Sequence, residues 1–186
     1  GSLVVGGSLT VDILVVGGGG SGGGGYGGGG GAGGLIYKPS HALTAQTYAW
    51  VTGAGGAGQS TNSSVGNVGA DSTWTDASAS VEFTAKGGGS GGFDYTAGAD
   101  GGSGAGAGHS TTSATSETQT GQSGDSGTYG FGNDGGQGTT SSNYNPGGGG
   151  GAGSVGGAGT DSVSGNGGTG KDMSAIFGTA VGDSGW

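Results

Sequence analysis

The sequence predicts a mainly irregular and β fold: a small β-strand region packed with a bundle of polyglycine II (polyproline II-like) helices, with little or no α-helix. Three observations carry this reading. Of 186 residues, 59 are Gly, and 24 Ser, 20 Thr and 19 Ala bring four small residue types to about two-thirds of the chain. Leu, Ile, Val and Phe number only 24, below the roughly 20 % at which disorder becomes the default and too few to close an ordinary enzyme core. The glycines fall in blocks separated by short β-branched segments, and with two prolines and no Gly-X-Y period collagen is excluded.

The strands come first. Ser2–Val16 reads SLVVGGSLTVDILVV, one or two strands with Leu9, Val11, Ile13 and Val15 on one face. Gly17–Gly34 follows with 15 Gly in 18 residues, which excludes helix because each Gly costs about 1 kcal/mol relative to Ala. Leu35–Thr52 carries Tyr37, Tyr48 and Trp50 and predicts a strand over Gln46–Val51. Ser80–Ala85 alternates Val81, Phe83 and Ala85 against Glu82 and Thr84, the pattern of another strand. Trp50 and Phe83 are read as core. Further glycine clusters recur at Gly87–Gly92, Gly98–Gly108, Gly147–Gly159 and Gly165–Gly170. Met173, Ile176, Phe177, Ala180 and Val181 have the spacing of a single short helix, weakened by Gly178.

The chain therefore reads as one glycine-rich domain, 1–186. Strands lie in 1–16 and in parts of 43–86, glycine rods in 17–34, 53–58, 87–108 and 147–170, and polar loops in 109–146. A flexible Gly/Ser linker is the competing reading. The rods are feasible because glycine keeps its backbone donor and has no Cβ to hold neighbours apart. Ordering Gly costs about 0.5–1 kcal/mol more than ordering Ala, and a net backbone hydrogen bond returns about 0.5–1.5 kcal/mol. Such a lattice holds only if nearly every glycine N–H and C=O is paired.

Charge and chemistry narrow the function. Three Lys, no Arg, ten Asp and two Glu give a net charge of −9. Nucleic acid and anionic membrane surfaces are disfavoured as partners for want of clustered cations, and the apolar runs are too short to insert into a bilayer. Cysteine is absent. Three segments imitate chemical motifs. Ile13–Gly23 looks like a dinucleotide fingerprint but lacks the following helix and acid. Gly165–Asp172 has the glycine and lysine spacing of a phosphate loop, but Asp172 stands where Ser or Thr would hold magnesium. Gly130–Gly136 echoes part of a calcium-binding repeat, leaving Asp134 or Asp125 as isolated candidates beside the plainer reading of solvated turns. His41 and His109 read as loop histidines without metal-ligand spacing. No enzyme, cofactor or metal is expected. Trp74, Tyr95, Tyr129, Phe131 and Tyr144 stand in polar, turn-rich segments, where rings stack on sugars or protein partners; the alternative is that they shield the rims of the lattice.

VDILVVGGGGSGGGGYGGGGGAGG (Val11–Gly34), TYAWVTGAGGAG (Thr47–Gly58), NSSVGNV (Asn62–Val68) and VEFTAKGGGSGG (Val81–Gly92) occur in an order that resembles the glycine-rich domains of bacteriophage tail fibres and receptor-binding adhesins. The resemblance covers nearly the whole chain, and the apolar anchors LVV, YAWV and VEF are its more specific part. It implies packed polyglycine II rods and a virion or extracellular location. It also implies loops, here His109–Phe131 and Thr139–Pro146, that contact a bacterial surface receptor, either an outer-membrane protein or a glycan. Other fibre subunits are implied partners, in a homotrimer or around a monomeric tip. The chain departs from the pattern by reaching Trp186 without a further Gly block, which suggests one fragment of a longer fibre. A purely structural fibre or decoration module is the first alternative. A weaker likeness to glycine-rich antifreeze proteins makes ice binding the third reading.

Overall fold

Alternating β-branched residues build two small antiparallel sheets at one side of the molecule. The structure, a computed structural model, describes residues 1–119 and 130–178. The strands are β1 (Ser2–Val4), β2 (Leu9–Val16), β3 (Leu35–Leu43), β4 (Thr47–Val51), β5 (Ser72–Thr75), β6 (Val81–Ala85) and β7 (Gly130–Phe131); the one helical turn is α1 (Ser174–Phe177). One sheet has the order β1-β4-β5-β6 and the other β2-β3-β7. Ile13 and Ile36 from the second sheet pack with Phe83 and Ala85 from the first. Val5, Leu43 and Tyr48 form an adjoining cluster, and Val11 and Trp74 touch both. The core is thus a seam between sheets, which is all that so few apolar side chains can fill.

Three local features depart from simple alternation. β3 contains Pro39, which cannot donate to a ladder, and the pairing with β2 shifts register there, between Val11 and Ile13. Asp12 fills the irregularity by accepting from the Ser40 N–H at 2.8 Å and from the Tyr37 hydroxyl at 3.3 Å. Trp50, read as core, is 39 % exposed, its ring lying parallel to that of Trp74 at 6.1 Å. α1 ends at Gly178, whose φ of 73° leaves the helical region; Ala180 and Val181 lie outside the described residues.

Outside the sheets the chain runs as extended segments whose hydrogen bonds repeat every third residue, the repeat of a polyproline II-type screw. Gly17, Gly20 and Gly23 donate to the carbonyls of Gly34, Gly31 and Gly28, whereas Gly18, Ser21 and Gly24 donate to Ala70, Asn67 and Ser64. Gly28, Gly31 and Gly34 donate in turn to Gly92, Gly89 and Lys86. The 17–34 block is therefore a hairpin of two runs rather than one rod. The 87–108 block also divides, into runs bonded by Gly89 to Ser103 and Gly92 to Gly106. Two further stretches join the array. Gly66 and Gly69 donate to Gly91 and Gly88, and Gly136 and Ala107 link residues 133–138 to the rest. Close approach is what glycine supplies here: a Cβ on Gly31 would collide with the carbonyl of Ser103, and one on Gly89 with that of Ala99.

Candidate functional site

The glycine runs must turn at their ends, and at one end those turns carry the aromatic side chains. Gly25, at φ 55°, turns the first hairpin and places Tyr26 at its tip. Phe93 and Thr96 exchange backbone hydrogen bonds at 3.0 and 2.7 Å, closing a turn that carries Asp94 and Tyr95. The run 101–108 ends on His109, whose N–H donates to the Tyr26 carbonyl at 3.1 Å. Ser110 then donates to Thr139 at 2.7 Å, bringing in the loop that holds Tyr144.

These turns assemble three tyrosines around one histidine. Tyr26 and Tyr144 stack at 4.5 Å, and His109 lies 4.6 Å from Tyr144, 5.0 Å from Tyr95 and 5.6 Å from Tyr26 between ring centroids. The histidine is 2 % exposed, while the tyrosines remain open to solvent, Tyr95 at 70 %. Asp94 Oδ1 stands 2.6 Å from His109 Nδ1, off the line of a hydrogen bond, so that a carboxylate faces a buried imidazole edge. Asp94, Ser110 and Tyr144 all adopt positive φ (46°, 58° and 57°), a region that Asp tolerates but that Ser and Tyr hold only where the surroundings favour it, and three of the five such residues among those described lie here. The Tyr144 loop is pinned besides: the Asn143 and Asn145 side-chain amides donate to the Asp161 and Thr160 carbonyls at 2.6 and 2.7 Å. The rings are thus held in place by their own loops, and exposed, preordered tyrosine is suited to stacking with a hydroxyl handle.

Of the residues singled out in the sequence, Tyr95 and Tyr144 meet at this end. Tyr129 lies outside the described residues. Phe131 sits on β7 opposite Leu35, with the Lys171 ammonium 4.6 Å above its ring. Trp74 is half-buried on β5, stacked on Tyr48 at 5.6 Å, and lines a cleft of about 610 Å³ between the sheets. Tyr26 and His109 are the members that sequence reasoning missed. The available signal for Tyr26 was that it is the one large side chain in Gly17–Gly34.

A second ion pair, His41 Nε2 to Glu82 Oε2 at 3.1 Å, lies in the sheet region, with His41 edge-on to Phe83. Lys86 pairs with Asp71 at 2.9 Å, and Asp71 also accepts the Gly87 N–H at 2.8 Å. Burial works against that charge, but the Gly87 N–H and the ammonium outweigh it and hold the carboxyl below its ordinary value. In the segment resembling a phosphate loop, Gly165 and Gly168 donate to Pro146 and Gly149, and Asp172 accepts the Ser174 N–H at 2.8 Å.

A family described as Glycine-rich domain matches residues 3–185. The chain belongs to it. For this glycine-rich domain, neither a curated protein nor a solved structure shows significant similarity. Membership covers the runs, the strands and the aromatic turns alike, so the tyrosine cluster is part of the matched unit rather than an appendage.

Proposed function

We propose that this glycine-rich domain is an adhesive module of a bacteriophage fibre, and that it attaches the particle to a bacterial surface receptor through the aromatic end. The observation that carries the reading is the gathering of exposed Tyr26, Tyr95 and Tyr144 around buried His109. Positive φ at Ser110 and Tyr144 and several loop-pinning hydrogen bonds hold those rings in place. Rim shielding alone would favour rings laid flat and covered. The order of strands and glycine blocks supports the phage assignment by resemblance. Recognition would proceed by stacking and hydrogen bonding, and the net charge of −9 would limit adhesion to anionic polymers through charge alone.

The test displays the domain on beads and measures capture of a panel of bacterial cells. Selective capture that falls at least tenfold with Tyr95→Ala or Tyr26→Ala supports the reading. Capture of no strain, or capture that is unchanged when the tyrosines are removed, rejects it. A second reading, a stiff structural module, is favoured by the lattice itself and would survive loss of all three rings.

A further inference from the structure

A three-residue screw sends its N–H groups in three directions and its C=O groups in three others, so a rod inside a hexagonal array has six neighbours. The run 28–34 borders four other runs, and the partners of its bonds can be named direction by direction. Its N–H groups at Gly28, Gly31 and Gly34 reach the run 86–92, and those at Gly29 and Ala32 reach Gly147 and Gly150. Its carbonyls at Gly28, Gly31 and Gly34 accept from the run 17–23, and those at Gly29 and Ala32 accept from Gly106 and Ser103. Four directions are thereby filled, and the four neighbours also bond to one another in sequence around the rod: 17–23 to 86–92, then 101–108, then 147–150.

The two remaining directions belong to Gly30 and Gly33. Their N–H and C=O groups have no hydrogen-bond partner among the described residues. Beside them runs a groove of about 930 Å³, walled by Gly17 and Gly19 on one flank and by the runs 147–151 and 165–170 on the other. Leu14, Val16 and Met173 line it near the strands.

We infer that this groove spans the two adjacent unfilled positions of the lattice beside the run 28–34 and that it receives an extended, glycine-rich segment of another polypeptide. The chemistry of the walls specifies the occupant. In one position it must offer a carbonyl every third residue to the Gly30 and Gly33 N–H groups, and in the other an N–H every third residue to their carbonyls, which a backbone with the same screw repeat does. It must also lack Cβ atoms where it faces the runs, because the rods here approach closely enough that added methyl groups collide. The module would thus complete its lattice with a partner's strand, along a groove that runs from Leu14, Val16 and Met173 to Gly27 and Pro146 beside the aromatic end.

The test titrates a fluorescein-labelled oligoglycine peptide with lysine ends into the full chain and follows anisotropy. A control peptide carries Val at every third position with the same ends. Gly167→Leu and Gly19→Leu block the groove without disturbing the lattice, since a Cβ at either meets nothing closer than 3.8 Å; melting curves matching the parent confirm each variant before use. Saturable binding of the glycine peptide, weaker by about tenfold or more for the control and for both variants, supports the inference. No saturable binding, equal binding of both peptides, or full binding by the folded variants overturns it. A concentration-dependent dimer that Gly167→Leu dissociates also overturns it, by assigning the groove to a second copy.

Discussion

The N–H of Gly31 lies 2.9 Å from the carbonyl oxygen of Gly89, while the carbonyl of Gly31 accepts the Gly20 N–H at 2.9 Å. One residue without a side chain thus ties three runs, and its neighbours along the chain do the same in other directions. The glycines take the place that Leu and Val occupy in an ordinary interior, with backbone hydrogen bonds and close contact replacing side-chain packing.

This arrangement makes two glycine substitutions diverge. Gly31→Ala drives a methyl into the Ser103 carbonyl and should lower stability by about 2–4 kcal/mol. Gly167→Ala meets only the Gly149 carbonyl, 3.9 Å away, and should be neutral or stabilising by up to about 1 kcal/mol through the unfolded chain. Thermal or urea unfolding of both variants checks the contrast; equal effects would contradict the lattice as the core.

His109 holds the aromatic end together from inside. His109→Ala removes a fully buried ring beneath three tyrosines and should cost about 2–4 kcal/mol. Hydrogen exchange should quicken at the amide of residue 109 and in the 93–96 turn while protection persists in β2 and β6. Uniform loss of protection would show that the end does not open separately.

Tyr95 should behave oppositely. At 70 % exposure, Tyr95→Ala should shift stability by less than about 0.5 kcal/mol, measured by the same unfolding experiments. A large destabilisation would mark the ring as structural and weaken its assignment to recognition.

Acid sensitivity follows from Asp71. Its carboxyl is held below the ordinary value of 3.8, so the folded state binds its proton less readily than the unfolded chain does. The stabilisation is fully present above the ordinary carboxylate range and is lost as pH falls through the folded-state value. Asp76 and Asp172, lowered chiefly by the Ser78 and Ser174 hydroxyls, act in the same direction. Asp71→Asn should reduce stability at neutral pH and flatten its decline below about pH 4, as read from melting temperature against pH. An unchanged acid limb would show that the Lys86 and Gly87 contacts are too solvated to matter.

Strands β2 and β6 were legible because alternation sorts their side chains onto two faces, and Ile13, Phe83 and Ala85 do point inward. β3 was hidden by Pro39, which the register shift beside Asp12 accommodates, and β5 by the polar neighbours of Trp74. The candidate site was half legible. Tyr95 and Tyr144 stand among turn residues, whereas Tyr26 is surrounded by glycine, and nothing local says where a uniform block folds back. That point is set by how far the run 28–34 must return to meet Lys86 and Gly92, a constraint carried by distant residues. His109 looked like a loop residue because the rings that bury it arrive from three other segments.

The bond from Gly29 to Gly147 has a temporal consequence. The run 28–34 is made early in synthesis, but one of its walls emerges more than a hundred residues later. Until then the N–H groups of Gly29 and Ala32 face only water, although the hairpin with 17–23 and the bonds to 86–92 can already form. Closure of the array should therefore be late, and the surface that waits for it is polar backbone rather than grease.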